Sequence, residues 1–228
     1  MHTEDYIQKI KDEDFFDPDT PAWDNIYEYA SLSAGGAIKA REENALSLLR
    51  PPGHHAGSDG TALGAPTLGF CYFNSIAVAV ARSGKETLIV DIDGHHGNGT
   101  QEIFQGNESV TYLSLHRYPH YPGTGKTSGD NYINYPLDAG AGDEEYLKKL
   151  GEGLDRALDM RSYEQVAVSA GFDSYSSDLA SLSLSTDCFR EIGEKIKGLG
   201  KPTFVVLEGG YGDISGRVYE FLQGIETE

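Results

Sequence analysis

The chain has 228 residues, a length that fits one domain with a substantial core. Its net charge of −18 argues against a nucleic-acid partner and mildly favours cationic substrates, although salt adaptation of the source organism would produce the same balance. There is no visible signal peptide, no run near the ~18 apolar residues of a membrane span, and only two cysteines, Cys71 and Cys188. We therefore expect one domain over residues 1–228, in the cytoplasm and without a membrane partner.

Apolar runs and helical periodicity alternate along the chain. The apolar or β-branched runs predict five strands, at 44–49, 86–92, 109–115, 164–170 and 203–208. Helical periodicity predicts helices near 22–40, 73–83, 98–105, 143–160, 186–198 and 213–224. This alternation is typical of a single α/β domain whose central, mainly parallel sheet has helices on both faces.

Chemically reactive side chains follow the predicted strands. HisHis follows the first, AspIleAsp closes the second, SerLeuHis closes the third, GlyPheAsp follows the fourth and GluGlyGlyTyr follows the fifth. Ligands of open α/β sheets bind at the carboxyl ends of the strands. The five clusters are therefore predicted to converge on one crevice.

Asp93 and His95 are the first candidate metal ligands. They lie two residues apart at a strand end, so both side chains turn to the same side, and Asp173 could approach from a neighbouring strand. Three protein ligands leave a coordination position open, as in catalytic zinc sites, and the oxygen-rich set also suits Fe(II), Co(II) or Mn(II). The alternative takes Asp93 as a helix cap and His95 as an ordinary loop histidine.

His54 and His55 point in different directions as neighbours, so each can have its own partner. Asp91 is a candidate partner for one and Asn98 for the other. A carboxylate on the remote nitrogen raises the pKa of a histidine, whereas an amide orients the ring with little effect on charge. A histidine beside a metal can take a proton from water and give it to a leaving amine. The alternative is a polar turn after a strand.

Tyr211 follows Gly209 and Gly210, which let the backbone approach a ligand and aim the phenol at it. A phenol can donate a hydrogen bond to a developing oxyanion, although packing is the more ordinary role of a tyrosine. Residues 69–73 and 121–125 have the composition of glycine-lined apolar walls, with ordinary loop and core as the alternative.

The motifs together match a known family in content and order. They are RPPGHHA, GFCYFN, DIDGHHGNGTQ, SLH followed by YPGTG, SAGFD and EGGY. They resemble the zinc-dependent histone deacetylase and acetylpolyamine amidohydrolase family, from about Asp19 to the end of the chain. The resemblance implies the arginase–deacetylase fold and a zinc-dependent hydrolase that removes an acetyl group from an N-acetylated amine, such as acetyl-lysine or an acetylpolyamine.

The resemblance also implies roles around the reacting amide. The zinc ligands would be Asp93, His95 and Asp173. His55 resembles the general base that becomes the general acid, and His54, paired with Asp91, resembles the electrostatic histidine. Tyr211 resembles the residue that polarises the carbonyl. Asn98 stands where some members have Asp, as in the class II and bacterial branch.

Further residues match the family's substrate and potassium sites. The predicted substrate-binding residues are Asp19, Gly69, Phe70, Tyr121, Gly209 and Gly210. Phe70 and Tyr121 resemble the aromatic pair that holds the aliphatic stem of the substrate, and Asp19 resembles the aspartate at the rim. The predicted structural K⁺ site comprises Asp91, Asp93, His95, Ser114 and Leu115, partly through main-chain oxygens.

Two departures from the family concern the structure. The segment GFDSYSSDLAS lacks the proline usual in this loop and is one residue shorter, and the chain begins without the usual amino-terminal strand. A partner subunit in a homo-oligomer could cover the sheet edge left free in this way.

Three alternatives share parts of the pattern. An arginase-type ureohydrolase would need further aspartates for a second metal, and a DxD phosphatase would need a DGT-like continuation and a catalytic lysine. A module that binds acetyl-lysine or polyamine without turnover would need neither His55 nor Tyr211. An acetylated amine is therefore the expected partner.

Overall fold

The computed structural model describes residues 1–226, in which six parallel strands form a central sheet. They are β1 (Leu46–Ser47), β4 (Thr87–Asp91), β5 (Val110–Arg117), β6 (Tyr132–Leu137), β7 (Gln165–Ala170) and β8 (Thr203–Leu207), and a separate antiparallel hairpin joins β2 (Ala56–Gly57) to β3 (Gly60–Thr61). The order across the sheet is β1-β8-β7-β4-β5-β6. This confirms the prediction of an α/β fold with a parallel sheet.

Helices connect the strands. They are α1 (Glu4–Lys11), α2 (Ile26–Glu43), α3 (Ser75–Ser83), α4 (Asn98–Phe104), α5 (Asp143–Met160), α6 (Thr186–Lys197) and α7 (Ser215–Glu226). Side chains cap several of them: Asn74 accepts from the amide of Ala77 and Ser185 from that of Cys188. None of the described helices combines the length and apolar character that a membrane crossing requires.

Strand β4 shows why the sheet is covered on both faces. Successive side chains of a strand point to opposite faces, and every residue of β4 is buried. Leu88 and Val90 pack into a core shared with α5, α6 and α7, whereas Ile89 packs into a second core with α3. The two cores fix the position of the carboxyl end of β4, where Asp91 lies.

Strand β6 and helix α1 were not among the predicted elements. β6 contains Asn134 and an exposed Pro136, and proline is tolerated there because β6 is an edge strand with one unpaired side. Helix α1 has few apolar positions among its charged residues, but Tyr6 and Ile10 are buried in a cluster with Phe73. β6 lacks the apolar run that predicts a strand, and α1 has too few apolar positions to show helical periodicity in the sequence.

The opposite edge of the sheet is β1. Within residues 1–226 the chain before β1 forms α1 and α2 and no strand. β1 pairs with β8 through Leu46 and Ser47. It therefore places the loop that follows it, with the two histidines, beside the carboxyl end of β8.

Substitution Ile89→Ala tests the packing that fixes β4. Ile89 is fully buried, so its truncation is expected to lower the free energy of unfolding by about 2–5 kcal/mol in urea titrations. Leu32→Ala on α2 is the control, because Leu32 is 65% exposed and its loss should cost less than about 0.5 kcal/mol. Equal effects of the two substitutions would contradict this description of the core.

Candidate active site

The carboxyl ends of β4 and β7 bring three separated side chains together. Asp93 and His95 follow β4, and Asp173 follows β7, which pairs directly with β4. One ligand atom from each lies within 4.8 Å of the other two, and all three residues are buried. The structure therefore places the three predicted metal ligands as one cluster.

Backbone amides hold the two carboxylates of this cluster in place. The amide of Gly94 donates to Asp173 Oδ1 at 2.8 Å, and the amide of Gly209 donates to Asp93 Oδ2 at 2.7 Å. The amide of His95 donates to Asp93 Oδ1 at 2.9 Å. Glycine is required at 209 because a Cβ there would overlap the Asp93 carboxylate.

The cluster has the chemistry of a divalent cation site. Asp173 Oδ2 is buried and has no hydrogen-bond partner among the described residues, although it lies 2.7 Å from His95 Nδ1. A buried, unpartnered carboxylate oxygen costs free energy unless a cation or donor reaches it. Two carboxylates and one imidazole are also the donor types that zinc and related metals take. The residues present thus fit a metal ion.

The pKa shifts within the cluster have the same origin. Burial and the neighbouring Asp93 carboxylate raise the pKa of Asp173. Burial disfavours the charged form of His95, but the carboxylates of Asp173 and Asp93 outweigh it and raise the pKa of His95 to about 10. The cluster therefore attracts positive charge, which a proton or a metal ion can supply.

His54 is paired with a carboxylate. Its Nδ1 lies 3.0 Å from Asp91 Oδ2, which also accepts a hydrogen bond from the Tyr112 hydroxyl at 2.9 Å. Burial disfavours the imidazolium, but Asp93 and Asp91 outweigh it and raise the pKa of His54 to about 10. His54 therefore carries a positive charge at neutral pH.

His55 is paired with an amide. Its Nδ1 lies 2.7 Å from Asn98 Oδ1, while Asn98 Nδ2 donates to the carbonyl of Ala62 at 2.9 Å. Because Ala62 can only accept, the oxygen of Asn98 must face the ring, so Nδ1 of His55 carries the proton. Burial and the nearby imidazoliums of His54 and His95 lower the pKa of His55 well below its ordinary value. Nε2 of His55 is thus free to accept a proton.

Glu208 fixes the loop that carries both histidines, and sequence reasoning assigned it no role. Its Oε2 accepts from the amides of Gly53 at 2.7 Å and His54 at 3.1 Å, and its Oε1 accepts from the Ser169 hydroxyl at 3.2 Å. Arg50 donates to its carbonyl. The only sequence signal was its position at the end of the last predicted strand, 203–208, at the same edge as the other clusters.

A cavity of about 330 Å³ opens beside the three candidate metal ligands. Its wall is formed by Asp19, His55, Gly69, Phe70, His95, His120, Tyr121, Leu179 and Tyr211. The Tyr121 ring packs on His55 with centroids 5.0 Å apart. Gly69 has a φ of +57° and lies so close to His55 and Tyr121 that a Cβ would overlap both. The predicted walls at 69–73 and 121–125 thus meet around one cavity.

Asp19 lies at the wall of this cavity but is already bonded by its own chain. Its Oδ2 accepts from the Thr67 hydroxyl at 2.6 Å, and its Oδ1 accepts from the amide of Gly69 at 3.0 Å. The Thr20 hydroxyl in turn accepts from the amide of Phe70 at 2.8 Å. These contacts hold Phe70 at a φ of 67°, which is unusual for a residue other than glycine.

Tyr211 lies in the wall of the cavity, beside Phe70. Its ring packs edge-on against Phe70, with centroids 5.9 Å apart, and the Arg50 guanidinium lies 5.8 Å from its centroid. Burial and the carboxylates of Asp93 and Asp173 raise the pKa of the phenol well above its usual range. Tyr211 therefore keeps its proton and can act as a hydrogen-bond donor.

The remaining predicted site residues lie behind the cavity. Gly209 contacts the Asp93 carboxylate and Gly210, at a φ of +132°, lies against Phe172. Their predicted role in substrate binding stays a prediction. Ser114 pairs in register with Asp91, and Leu115 follows it in β5, so these three of the five predicted K⁺ residues are neighbours across β4 and β5.

The other clustered histidines have structural partners. His96 Nδ1 lies 2.7 Å from the Thr124 hydroxyl, and His116 Nε2 donates to the carbonyl of Gly125 at 3.0 Å. Burial lowers the pKa of His116 to about 4, so this network is neutral. These hydrogen bonds hold the loop of Tyr121 next to the sheet. His120 instead lines the cavity.

Comparisons with known proteins agree with this architecture. The chain matches the histone deacetylase domain model over residues 1–220. A probable deacetylase of Archaeoglobus fulgidus is 36% identical over 92% of this chain and 65% of its own length. Acetylpolyamine amidohydrolase 1 of Pseudomonas aeruginosa is 32% identical over 92% of this chain and 66% of its own length. The crystal structure of the HDA15 HD domain has a TM-score of 0.87 at 33% identity, covering 97% of this chain and 69% of that one.

This chain spans between 65% and 69% of the length of these three proteins. The family model nevertheless covers nearly all of it, from α1 into α7. The family model, these relatives and the shared fold confirm the resemblance seen in the sequence. The chain belongs to the histone deacetylase domain family.

Proposed function

We propose that the protein is a metal-dependent amidohydrolase that removes the acetyl group from an N-acetylated amine. The observation that carries this proposal is the meeting, beside one cavity, of the three candidate ligands Asp93, His95 and Asp173 with His55 and Tyr211. Relatives named deacetylase and acetylpolyamine amidohydrolase support it. Binding alone would need neither the histidine nor the phenol.

Asp93, His95 and Asp173 are proposed to hold Zn(II), with Fe(II), Co(II) or Mn(II) as alternative occupants of the oxygen-rich set. When bound, the ion would supply Lewis acidity that polarises an amide carbonyl and lowers the pKa of water. The backbone amides on Asp93 and Asp173 orient the two carboxylates. Asp173 Oδ2 takes no amide, and each Asp93 oxygen, which accepts from one amide, keeps a second lone pair for a cation.

His55 is proposed as the general base and then the general acid. Asn98 holds the proton on Nδ1, which leaves Nε2 as the acceptor. A proton taken by Nε2 from the attacking water can be returned to the nitrogen of the leaving amine, because burial and its cationic neighbours destabilise the imidazolium. Acetate and a free amine are the products.

Tyr211 and His54 are proposed to stabilise developing charge. The Tyr211 phenol keeps its proton and can donate a hydrogen bond to the carbonyl oxygen as it becomes an oxyanion. His54, charged through its pairing with Asp91, lies with Nε2 3.8 Å from Asp93 Oδ1 and offsets the negative charge of the cluster. Asp91 would also belong to the structural K⁺ site.

The substrate is proposed to be acetyl-lysine in a peptide or an acetylpolyamine. Phe70 and Tyr121 would contact its aliphatic stem, and Asp19 would act at the rim while it holds Gly69. The net charge of −18 suits a substrate whose other amines stay cationic, such as an acetylpolyamine. Both cysteines are buried free thiols, which suits the reducing cytoplasm as the expected compartment.

Acetate release tests the proposed function. Zinc-loaded protein is incubated with an acetyl-lysine peptide and with an acetylated polyamine, and acetate is expected from at least one of them. Tyr211→Phe is expected to lower kcat by about 10- to 1,000-fold without changing zinc content, because it removes one oxyanion donor. Tyr219→Phe on α7 is the matched control, since Tyr219 is 58% exposed. Folded, zinc-loaded protein that releases no acetate from either substrate would sink the proposal.

Asp173→Asn separates metal binding from folding. The loss of a ligand charge is expected to weaken zinc binding by more than about 100-fold in a chelator competition. The Tm of the metal-free variant is compared with that of the metal-free wild type, because Asp173 also accepts from the amide of Gly94 and lies 2.7 Å from His95 Nδ1. Asp159→Asn, at an exposed position of α5, should change neither property. Unchanged zinc affinity would remove Asp173 from the ligand set.

Asn98→Asp tests the neutral partner of His55. A carboxylate on Nδ1 favours the imidazolium, so the pKa of His55 rises and its base form is lost at a higher pH. The acid limb of the kcat/KM profile is therefore expected to move up by about one pH unit or more. The profile is measured on protein whose fold and zinc content match the wild type, and an unmoved acid limb would show that His55 is not the base.

A further inference from the structure

Arg217 is a buried guanidinium that the proposed mechanism does not use. It lies on α7 and is 6% exposed, in a chain whose other arginines mostly lie at the surface. A buried charge needs partners, since burial without them costs several kcal/mol. Its partners all belong to the two loops that bear Asp173 and Tyr211.

Asp178 is the first of these partners. Arg217 donates to Asp178 Oδ2 at 2.9 Å, and the ion pair is buried, with side chains 8% and 4% exposed. The same carboxylate oxygen accepts a hydrogen bond from the backbone amide of Tyr211 at 3.1 Å. Asp178 therefore links Arg217 to the backbone of Tyr211, which lines the cavity.

The guanidinium also binds three carbonyl oxygens. It donates to the carbonyl of Phe172, next to Asp173, and to those of Asp213 at 3.0 Å and Tyr211 at 3.4 Å. Its carbon lies 4.8 Å from the centroid of the Tyr175 ring. A planar fork of five donors suits this arrangement, and a lysine ammonium could not reproduce it.

The loop that carries Tyr211 depends on contacts from outside because a glycine lies on each side of Tyr211. Gly210 and Gly212, on either side of Tyr211, have φ values of 132° and 70°, which few other residues adopt. Glycine gives the backbone many alternative conformations. Contacts from outside the loop must therefore select the one that directs the phenol into the cavity.

We propose that Arg217, through its buried ion pair with Asp178, is a positioning residue. It fixes Tyr211 in the wall of the cavity, beside the candidate ligands Asp93, His95 and Asp173. This proposal rests on the proposed function for its catalytic consequence. It also assigns a role to Asp178 in the shortened loop GFDSYSSDLAS, where the usual proline is absent.

Arg217→Lys and Asp178→Asn are compared by kinetics in two backgrounds, the wild type and Tyr211→Phe. Rates are expressed per bound zinc. In the wild type each substitution is expected to lower kcat by about 10- to 100-fold, because a misplaced donor loses most of its effect, and to change KM by less than about 3-fold. In the Tyr211→Phe background the same substitutions should lower kcat by less than about 3-fold, because the phenol that they position is already gone.

Arg190→Lys is the matched control. Arg190 on α6 pairs with Glu220 on α7, but this pair lies at the surface, so the substitution should leave kcat unchanged in both backgrounds. An equal loss of kcat in both backgrounds for Arg217→Lys and Asp178→Asn would overturn the proposal, since a general structural defect does not depend on the phenol.

Amide hydrogen exchange at Tyr211 provides a readout that does not require turnover. Exchange of this amide is expected to be at least about 10-fold faster in Asp178→Asn and Arg217→Lys than in the wild type or Arg190→Lys. If the wild type releases no acetate, the proposed function fails while the exchange rates still decide the positioning role. Unchanged exchange in both variants would refute that role.

Discussion

The structure depends on buried negative charge at the carboxyl edge of its sheet. Four carboxylates lie there with at most 1% of their surface exposed: Asp91, Asp93, Asp173 and Glu208. Such charges destabilise a fold unless donors or cations reach them. His54 pairs with Asp91, and backbone amides bind Glu208 and Asp93, whereas one oxygen of Asp173 has an ion-pair contact with His95 Nδ1 at 2.7 Å but no aligned hydrogen bond from the described residues. Among these four carboxylates, a bound cation would therefore stabilise chiefly Asp173 and its neighbours Asp93 and His95.

The same distribution of charge gives two adjacent histidines opposite properties. His54 and His55 share a loop, and their rings lie 4.0 Å apart, so both experience the same burial. Asp91 stabilises the charged form of His54, whereas the amide of Asn98 only orients His55. The charge on His54 then disfavours a second proton on His55. One imidazole thereby remains a cation and the other neutral, which are the two states that the proposed mechanism uses.

Sequence patterns could predict the local chemistry of this site but not its long-range supports. The spacing of Asp93 and His95 at a strand end is a local signal, and so is the pair of adjacent histidines. The position of the clusters at strand ends indicates that Asp173 can approach from a neighbouring strand, but the sheet order, in which β7 pairs with β4, comes only from the structure. Arg217 and Asp178 gave no such signal, because α7 and a loop 39 residues away meet only in the fold. β6 was missed because its proline and asparagine interrupt the apolar pattern.

Glycine is needed at positions around Asp93 because neighbouring atoms leave no room for a side chain, and not because of the backbone conformation. Gly210 has a positive φ, but Gly171 and Gly209 do not. A Cβ at either of those two positions would overlap the Asp93 carboxylate. The backbone can come close enough for the Gly209 amide to bind Asp93 only if no side chain intervenes. The glycines that precede Phe172 and follow Glu208 are therefore part of the carboxylate cluster itself, since a larger residue would force the strand ends of β4, β7 and β8 apart.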